Sequence, residues 1–285
     1  MANKIALVTD STAYIPKELC EKYSLTVTPQ VLIWGDDTYK DGVDIQPDEF
    51  YARLKTAKVM PTTSQVSPVT MKTTFETLIA KGYDVLGIFI SAKLSGTIQS
   101  AMQAKEMIGK AGDKVTYLDS KSTSMALGFQ VLAVARAIEN GANLAEAIAV
   151  AEKARDNTGV FFAVDTLEFL HRGGRIGGAQ RFLGTALNMK PVLAVEDGRV
   201  EAVERIRTKG KALERVLELV MEQTQGKSPI RLATLHAFAE EEAKVLLGKA
   251  SKAMNADESL LTTVSPVVGT HAGPGTVGLA YMVGI

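Results

Sequence analysis

Apolar stretches in this chain are of strand length and alternate with helical patterns, and that alternation constrains the fold more than any other feature of the sequence. Residues 85–90, VLGIFI, form an apolar run followed by the polar loop SAKLSG. From Thr97 onward, Ile98, Ala101, Met102 and Ile108 recur on one helical face. The same order appears at the start, where residues 4–8 lead through Asp10, Ser11 and Thr12 to PKELCEKY, with Pro16 placed to open a helix. LTVTPQVLIW is a further β-rich run, Pro47 opens the helix PDEFYARL, and VTMKTTFETLIAKG has helical spacing. The polar stretch 61–65 between those two helices is expected to be a loop. KVTYLD is a strand, a helix is predicted over 125–139, and Asn143 with Glu146 three residues on forms a capping-box pattern for the next. Apolar strands in such alternation need helices on both faces, which means a parallel sheet.

After Gly159 the pattern changes. GVFFAVDTL runs from a strand into a short helix, and PVLAVEDGRVEAVERI is two strands around Asp197-Gly198, a strong hairpin signal. A helix over 211–223, a strand over 231–236, a helix over 239–254, and strands at LLTTV and VGLAYMV complete a mixed second unit. A boundary is expected near 156–159, and a length of 285 residues suits two domains.

Composition narrows the function classes. The chain is 46% hydrophobic and 22% charged, enough to bury a core without metals or disulfides. Its 32 Lys and Arg balance 32 Asp and Glu, so no overall field favours nucleic acid. Cys20 is the single cysteine and reads as an inert helix thiol in a reducing compartment. MANKIALVTD enters a strand pattern without an apolar signal region, and no apolar run is long enough for a transmembrane helix, so a cytoplasmic protein is expected.

Several motifs fail on context. GPGTVG at 273–278 matches a dinucleotide-loop pattern but stands at the chain's end before a strand, not before a helix. His171, His236 and His271 are far apart with no metal-ligand spacing, so no metal site and no cofactor are expected. Asp10 at a strand end invites a phosphotransferase or phosphatase reading, but position 12 is Thr where a second acid belongs; an Asx turn is the better expectation. What remains are hydroxyl residues at places where α/β sheets present ligands: Thr62, Thr63 and Ser64 in one loop, Ser95 and Thr97 in another. Ser95-Gly96-Thr97 lies between a strand's carboxyl end and a helix start, where free N–H groups favour an anionic head group. The alternative for Ser95 is a simple helix cap. Arg175 and His271 sit among glycines and are expected in exposed loops.

The set Asp10-Ser11-Thr12, PTTSQVSP, SAKLSGT, DTLEFLHRGGRIG, KPVL before the GRV hairpin, and GTHAGPGTVG resembles the bacterial DegV family, the fatty-acid-binding subunits of fatty acid kinase. The resemblance covers nearly the whole chain. It implies an N-terminal parallel-sheet α/β domain over 1–158 and a C-terminal mixed-sheet α/β domain over 159–285, with a long-chain fatty acid between them. It implies a non-catalytic subunit whose kinase partner phosphorylates the bound acid to acyl phosphate for phospholipid synthesis, with transient membrane contact and no nucleic acid. Carried onto this sequence, Thr62 and Ser95 would hold the carboxyl group, with Thr63 and Gly96 completing that wall. Arg175 and His271 would lie near the head group or face the kinase, Arg205 is a further partner contact, and Arg172 is a surface cation. Val66 and Ala92 depart from the family's common proline and serine.

Overall fold

The computed structural model describes residues 4–184 and 189–285. The first three residues of the MANKIALVTD segment lie outside the described residues. The first part of the chain runs β1 (Lys4–Asp10), α1 (Lys17–Lys22), β2 (Thr26–Thr28), β3 (Val31–Trp34), β4 (Asp37–Lys40), α2 (Pro47–Leu54) and β5 (Thr62–Ser64). It continues with α3 (Pro68–Ala80), β6 (Tyr83–Phe89), α4 (Thr97–Ile108), β7 (Val115–Asp119), α5 (Ser124–Glu139) and α6 (Leu144–Asp156). Then come β8 (Thr158–Ala163), α7 (Glu168–Arg172), β9 (Lys190–Glu196), β10 (Arg199–Ile206), α8 (Lys209–Thr224) and β11 (Ile230–His236). The chain closes with α9 (Glu240–Met254), β12 (Glu258–Thr263), α10 (Pro266–Ala272) and β13 (Val277–Val283).

As the alternation predicts, β2-β1-β6-β7 form a parallel sheet. Its side chains divide by the two-residue strand period. Leu7, Leu86 and Ile88 pack on Leu127, Val131 and Val134 of α5, whereas Val8, Val85 and Phe89 pack on Met71 and Phe75 of α3 and Ala101 of α4. The second sheet, β10-β9-β8-β13-β11-β12, is mixed: β11 and β12 are parallel and the other pairs antiparallel. At the β9–β10 turn Asp197 and Gly198 both have positive φ, 45° and 82°, as the favoured two-residue hairpin turn requires. Helices α8 and α9 cover one face of this sheet through Val216, Val220, Ala243 and Leu246.

Helix α5 joins the two sheets. Residues 124–135 are all buried, so the helix has no polar face there. Met125, Phe129 and Leu132 pack toward Val160, Ala280 and Met282 of the mixed sheet, on the side away from the parallel one. At its far end Arg136 donates to Glu258 at 2.7 Å, tying α5 to β12. Each large apolar side chain so enclosed contributes about 1.5–3 kcal/mol.

Two local expectations are corrected. LTVTPQVLIW is not one strand: β2 ends at Thr28 and joins the parallel sheet, while β3 joins a separate antiparallel sheet, β4-β3-β5. Pro29 interrupts the run, and the buried Gln30 that follows donates its N–H to Ser11 Oγ at 3.0 Å. The polar stretch 61–65 contains β5, paired to β3 with Thr63 opposite Leu32 and Thr62 opposite Ile33.

Candidate functional site

Loops at the carboxyl ends of β1, β6 and β7 face α10 and the mixed sheet across a cavity whose empty space, open solvent included, is about 860 Å³. Its mixed-sheet side is apolar, with Val160, Phe162, Leu170, Val200 and Leu235. The opposite side carries Thr12, Gln30, Thr63, Ser95, Thr123 and Ser124.

The alternation of β5 separates its two threonines. Thr63 lines the cavity and its Oγ1 lies 2.8 Å from His271 Nε2. Thr62 is exposed and lines a neighbouring cleft together with Arg172. Thr63, Arg175 and His271 line both spaces and so form the partition between them.

His271 and Arg175 are not on exposed loops. Both are half-buried, and His271 is in the last turn of α10, capped by Ser265. Gly173 and Gly269 serve close packing, whereas Gly174 is open to solvent. A Cβ on Gly173 would sit 2.0 Å from His271 Nδ1, and one on Gly269 would sit 2.2 Å from Tyr51 Oη. Nδ1 has no partner among the described residues. With no acceptor beside Nδ1 we assign the ring proton to Nε2, which donates to Thr63 and leaves the Thr63 hydroxyl proton free for the cavity. Arg175 donates from Nε to the Leu94 carbonyl at 3.0 Å and from Nη1 to the Gly173 carbonyl at 2.8 Å. Among the described residues it forms no ion pair, and these two carbonyls hold its guanidinium in place.

Ser95 Oγ lies 2.9 Å from Thr97 Oγ1, which also accepts from Gln30 Nε2 at 2.7 Å. The cap of α4 is Gly96, without a side-chain capping bond, so Ser95 is not spent as a helix cap. Gly96 packs on Gln65, whose Nε2 would be 3.0 Å from an added Cβ. Arg205 is exposed on β10, its guanidinium 5.1 Å from the centre of the Phe182 ring, and it lines neither space. Arg172 is exposed and pairs with Glu168. Val66 is buried against Met71 and Phe75, and Ala92 is exposed, so neither family departure touches the cavity.

Asp10 is fully buried, and both its oxygens are engaged. Oδ1 accepts from the Thr12 N–H at 3.0 Å and hydroxyl at 2.6 Å, and Oδ2 accepts from the Ile90 N–H at 2.8 Å. This is the Asx turn, and it orders the loop that places Thr12 on the cavity. Cys20 donates to the Ile15 carbonyl, and burial raises its pKa, as an inert thiol requires. Among the described residues no cluster of His, Cys, Asp or Glu could hold a metal.

Burial, with Arg175 nearby, pushes the pKa of His271 from 6.5 down to about 4. The unfolded chain then binds more protons than the folded one between these values. The stability held by neutral His271 is fully present above pH 6.5 and is lost as the pH falls toward 4. Buried Asp41, pushed up from 3.8 to about 6, acts with the opposite sign, its contribution falling as the pH rises through that window. Chemical unfolding of His271→Gln is therefore expected to show less acid-side loss than wild type, by up to about 3 kcal/mol. Superimposable acid limbs would refute the assignment of a neutral, buried imidazole.

Two sheets around a one-sidedly apolar cavity define an α/β protein with a candidate ligand site at the carboxyl edge of its parallel sheet. A family model described as "Uncharacterised protein, DegV family" matches residues 4–283, and the chain belongs to the DegV family. It is 36% identical over 279 residues to protein DegV of Bacillus subtilis, covering 97% of this chain and 98% of the relative. A DegV family protein from Thermus thermophilus, described for its fatty acid binding, superimposes with a TM-score of 0.92 at 36% identity, covering 98% and 99% of the two chains. The crystal structure of DegV from Bacillus subtilis, a fatty acid binding protein, gives 0.90 at 34% identity and covers both chains fully, 100% of each.

Proposed function

We propose that this chain binds one long-chain fatty acid in the cavity, between domains spanning 1–158 and 159–285, and presents its carboxyl group to a separate fatty acid kinase subunit. The product is an acyl phosphate that feeds phospholipid synthesis. The observation that carries the reading is the partition: Thr63, Arg175 and His271 border both the apolar cavity and the more polar adjoining cleft. A carboxyl group held there is reachable while its tail is not. The likeness to fatty-acid-binding DegV structures supports the ligand class.

Ser95 and Thr63 hold the carboxylate, with Gly96 in the same wall. Neutral hydroxyls give it charge-assisted hydrogen bonds without locking it into a tight ion pair, so it stays available as a nucleophile. Thr62 and Arg172 face the cleft through which the kinase reaches it, and Arg205 is a more distant partner contact. The sequence has no phosphate loop, so the kinase brings ATP and its metal, and this subunit supplies alignment. Burying about 14–16 methylenes at roughly 0.8 kcal/mol each gives a gross driving force of about 12 kcal/mol, reduced by the cost of ordering the tail. Acid loading takes place in the cytoplasm during transient contact with a membrane surface. No described helix is long and apolar enough to cross a membrane.

Native mass spectrometry of freshly purified protein is expected to show about one acid of roughly 14–18 carbons per chain, because a long apolar tail leaves slowly. Lipid-free protein that gains no thermal stability from palmitate or oleate would sink the proposal.

A further inference from the structure

The cavity wall holds a second polar feature that the carboxyl site does not use. The loop after β7 ends at Thr123, and Ser124 opens α5. Both residues line the cavity. Thr123 makes no side-chain capping bond, and neither Thr123 Oγ1 nor Ser124 Oγ has a hydrogen-bond partner among the described residues. Ser124 is only 3% exposed, and a buried hydroxyl without a protein partner is costly. These hydroxyls stand outside the networks that organise the head-group end, where Thr63 is joined to His271 and Ser95 to Thr97 and Gln30. Helix α5 has 16 residues, and the first-turn N–H groups of a helix add donors and a favourable dipole for a ligand oxygen. An unsubstituted methylene against this wall leaves both hydroxyls unpaired.

We propose that Thr123, Ser124 and the N-terminus of α5 form a subsite for an oxygen carried on the acyl chain, so that the preferred ligand is a hydroxy fatty acid. The inference rests on the fatty acid reading of the cavity. A chain hydroxyl accepts from the helix N–H groups and donates to a serine or threonine oxygen, which satisfies both sides. Sites built to hydrogen-bond a hydroxyl discriminate against the analogue that lacks it, because their own polar groups are then left unpaired.

The test uses the delipidated full-length protein and competition between stearic acid and hydroxystearic acids with the hydroxyl near the head, middle and tail of the chain. One positional isomer is expected to bind about tenfold more tightly than stearic acid. Ser124→Gly removes the hydroxyl at a residue whose φ is 50°, a conformation that glycine adopts without strain, and Thr123→Val preserves shape. Either variant should bring the ratio of hydroxy acid to stearic acid affinity toward one. A wild-type ratio near one for every isomer overturns the proposal, and so does a raised ratio that both variants leave unchanged. Failure of every acid to bind is a different result: it refutes the fatty acid reading itself and removes the ground for this subsite.

Discussion

Replacing Thr63 by valine and Ser95 by alanine together is expected to lower the affinity for a long-chain fatty acid by at least about a hundredfold. Each change removes one hydrogen bond to a charged carboxylate, worth roughly 1.5–3 kcal/mol, so the pair removes about 3–6 kcal/mol. Folding should survive, because valine suits the β5 strand and Ser95 caps no helix. Thr62→Val is the internal control: its side chain lines the cleft and not the cavity, and its effect on binding should be small. Titration of delipidated protein with palmitate, followed by calorimetry, reads all three. Wild-type affinity in the double variant would place the carboxyl group elsewhere, and a large loss in Thr62→Val would show that the cleft side holds it.

The second large effect is expected from one methyl group. In Gly173→Ala the new Cβ meets the His271 ring at 2.0 Å from Nδ1, a distance that cannot persist. The imidazole must move, breaking its 2.8 Å contact with Thr63. Any accommodating shift of the Gly173 backbone would also disturb the carbonyl that Arg175 holds. Acyl-phosphate formation with the kinase subunit should fall tenfold or more, and by a larger factor than fatty acid retention, because apolar tail contacts remain while alignment is lost. Gly174→Ala provides the contrast. Gly174 has a φ of 70° but nothing within 4 Å of an added Cβ, so it costs only about 1 kcal/mol of backbone strain and should spare transfer. If Gly173→Ala transfers at the wild-type rate, His271 and Arg175 do not align the carboxyl group.

Features legible in the sequence were those decided within a few residues. The Asn143 capping box forms with both reciprocal bonds present, and the Asp197-Gly198 turn follows from two residues able to take positive φ. The parallel sheet follows from apolar runs that only two helical layers can cover. Asp10 is an Asx turn because its carboxylate reaches an N–H two residues away. Ser95 could be singled out by position, since it stands between a strand's carboxyl end and a helix start. The same reasoning applied to DSKSTS after β7 points to Thr123 and Ser124, which a sequence search guided by head-group chemistry passes over.

Other features depend on partners far away in the chain. Helix α10 has the sequence PVVGTHA, rich in β-branched residues and glycine, and by itself is a poor helix. It is held by distant groups: the Val267 N–H donates to Asp41 at 3.3 Å, and Tyr51 packs against Gly269 while donating to the Val264 carbonyl at 3.0 Å. Because that helix carries His271, the position of the imidazole was not readable from its glycine-rich neighbours. The register of β5 on β3 likewise decides that Thr63 faces the cavity and Thr62 the cleft, although the two are adjacent and chemically identical. By itself the sequence determined the α/β class, the hairpin, the caps and the stock of hydroxyls at strand ends, all set by local backbone preference and apolar periodicity. Only the tertiary structure decided which hydroxyls share a cavity and which stay unpaired, because long-range packing and strand register, not local propensity, choose what each side chain faces.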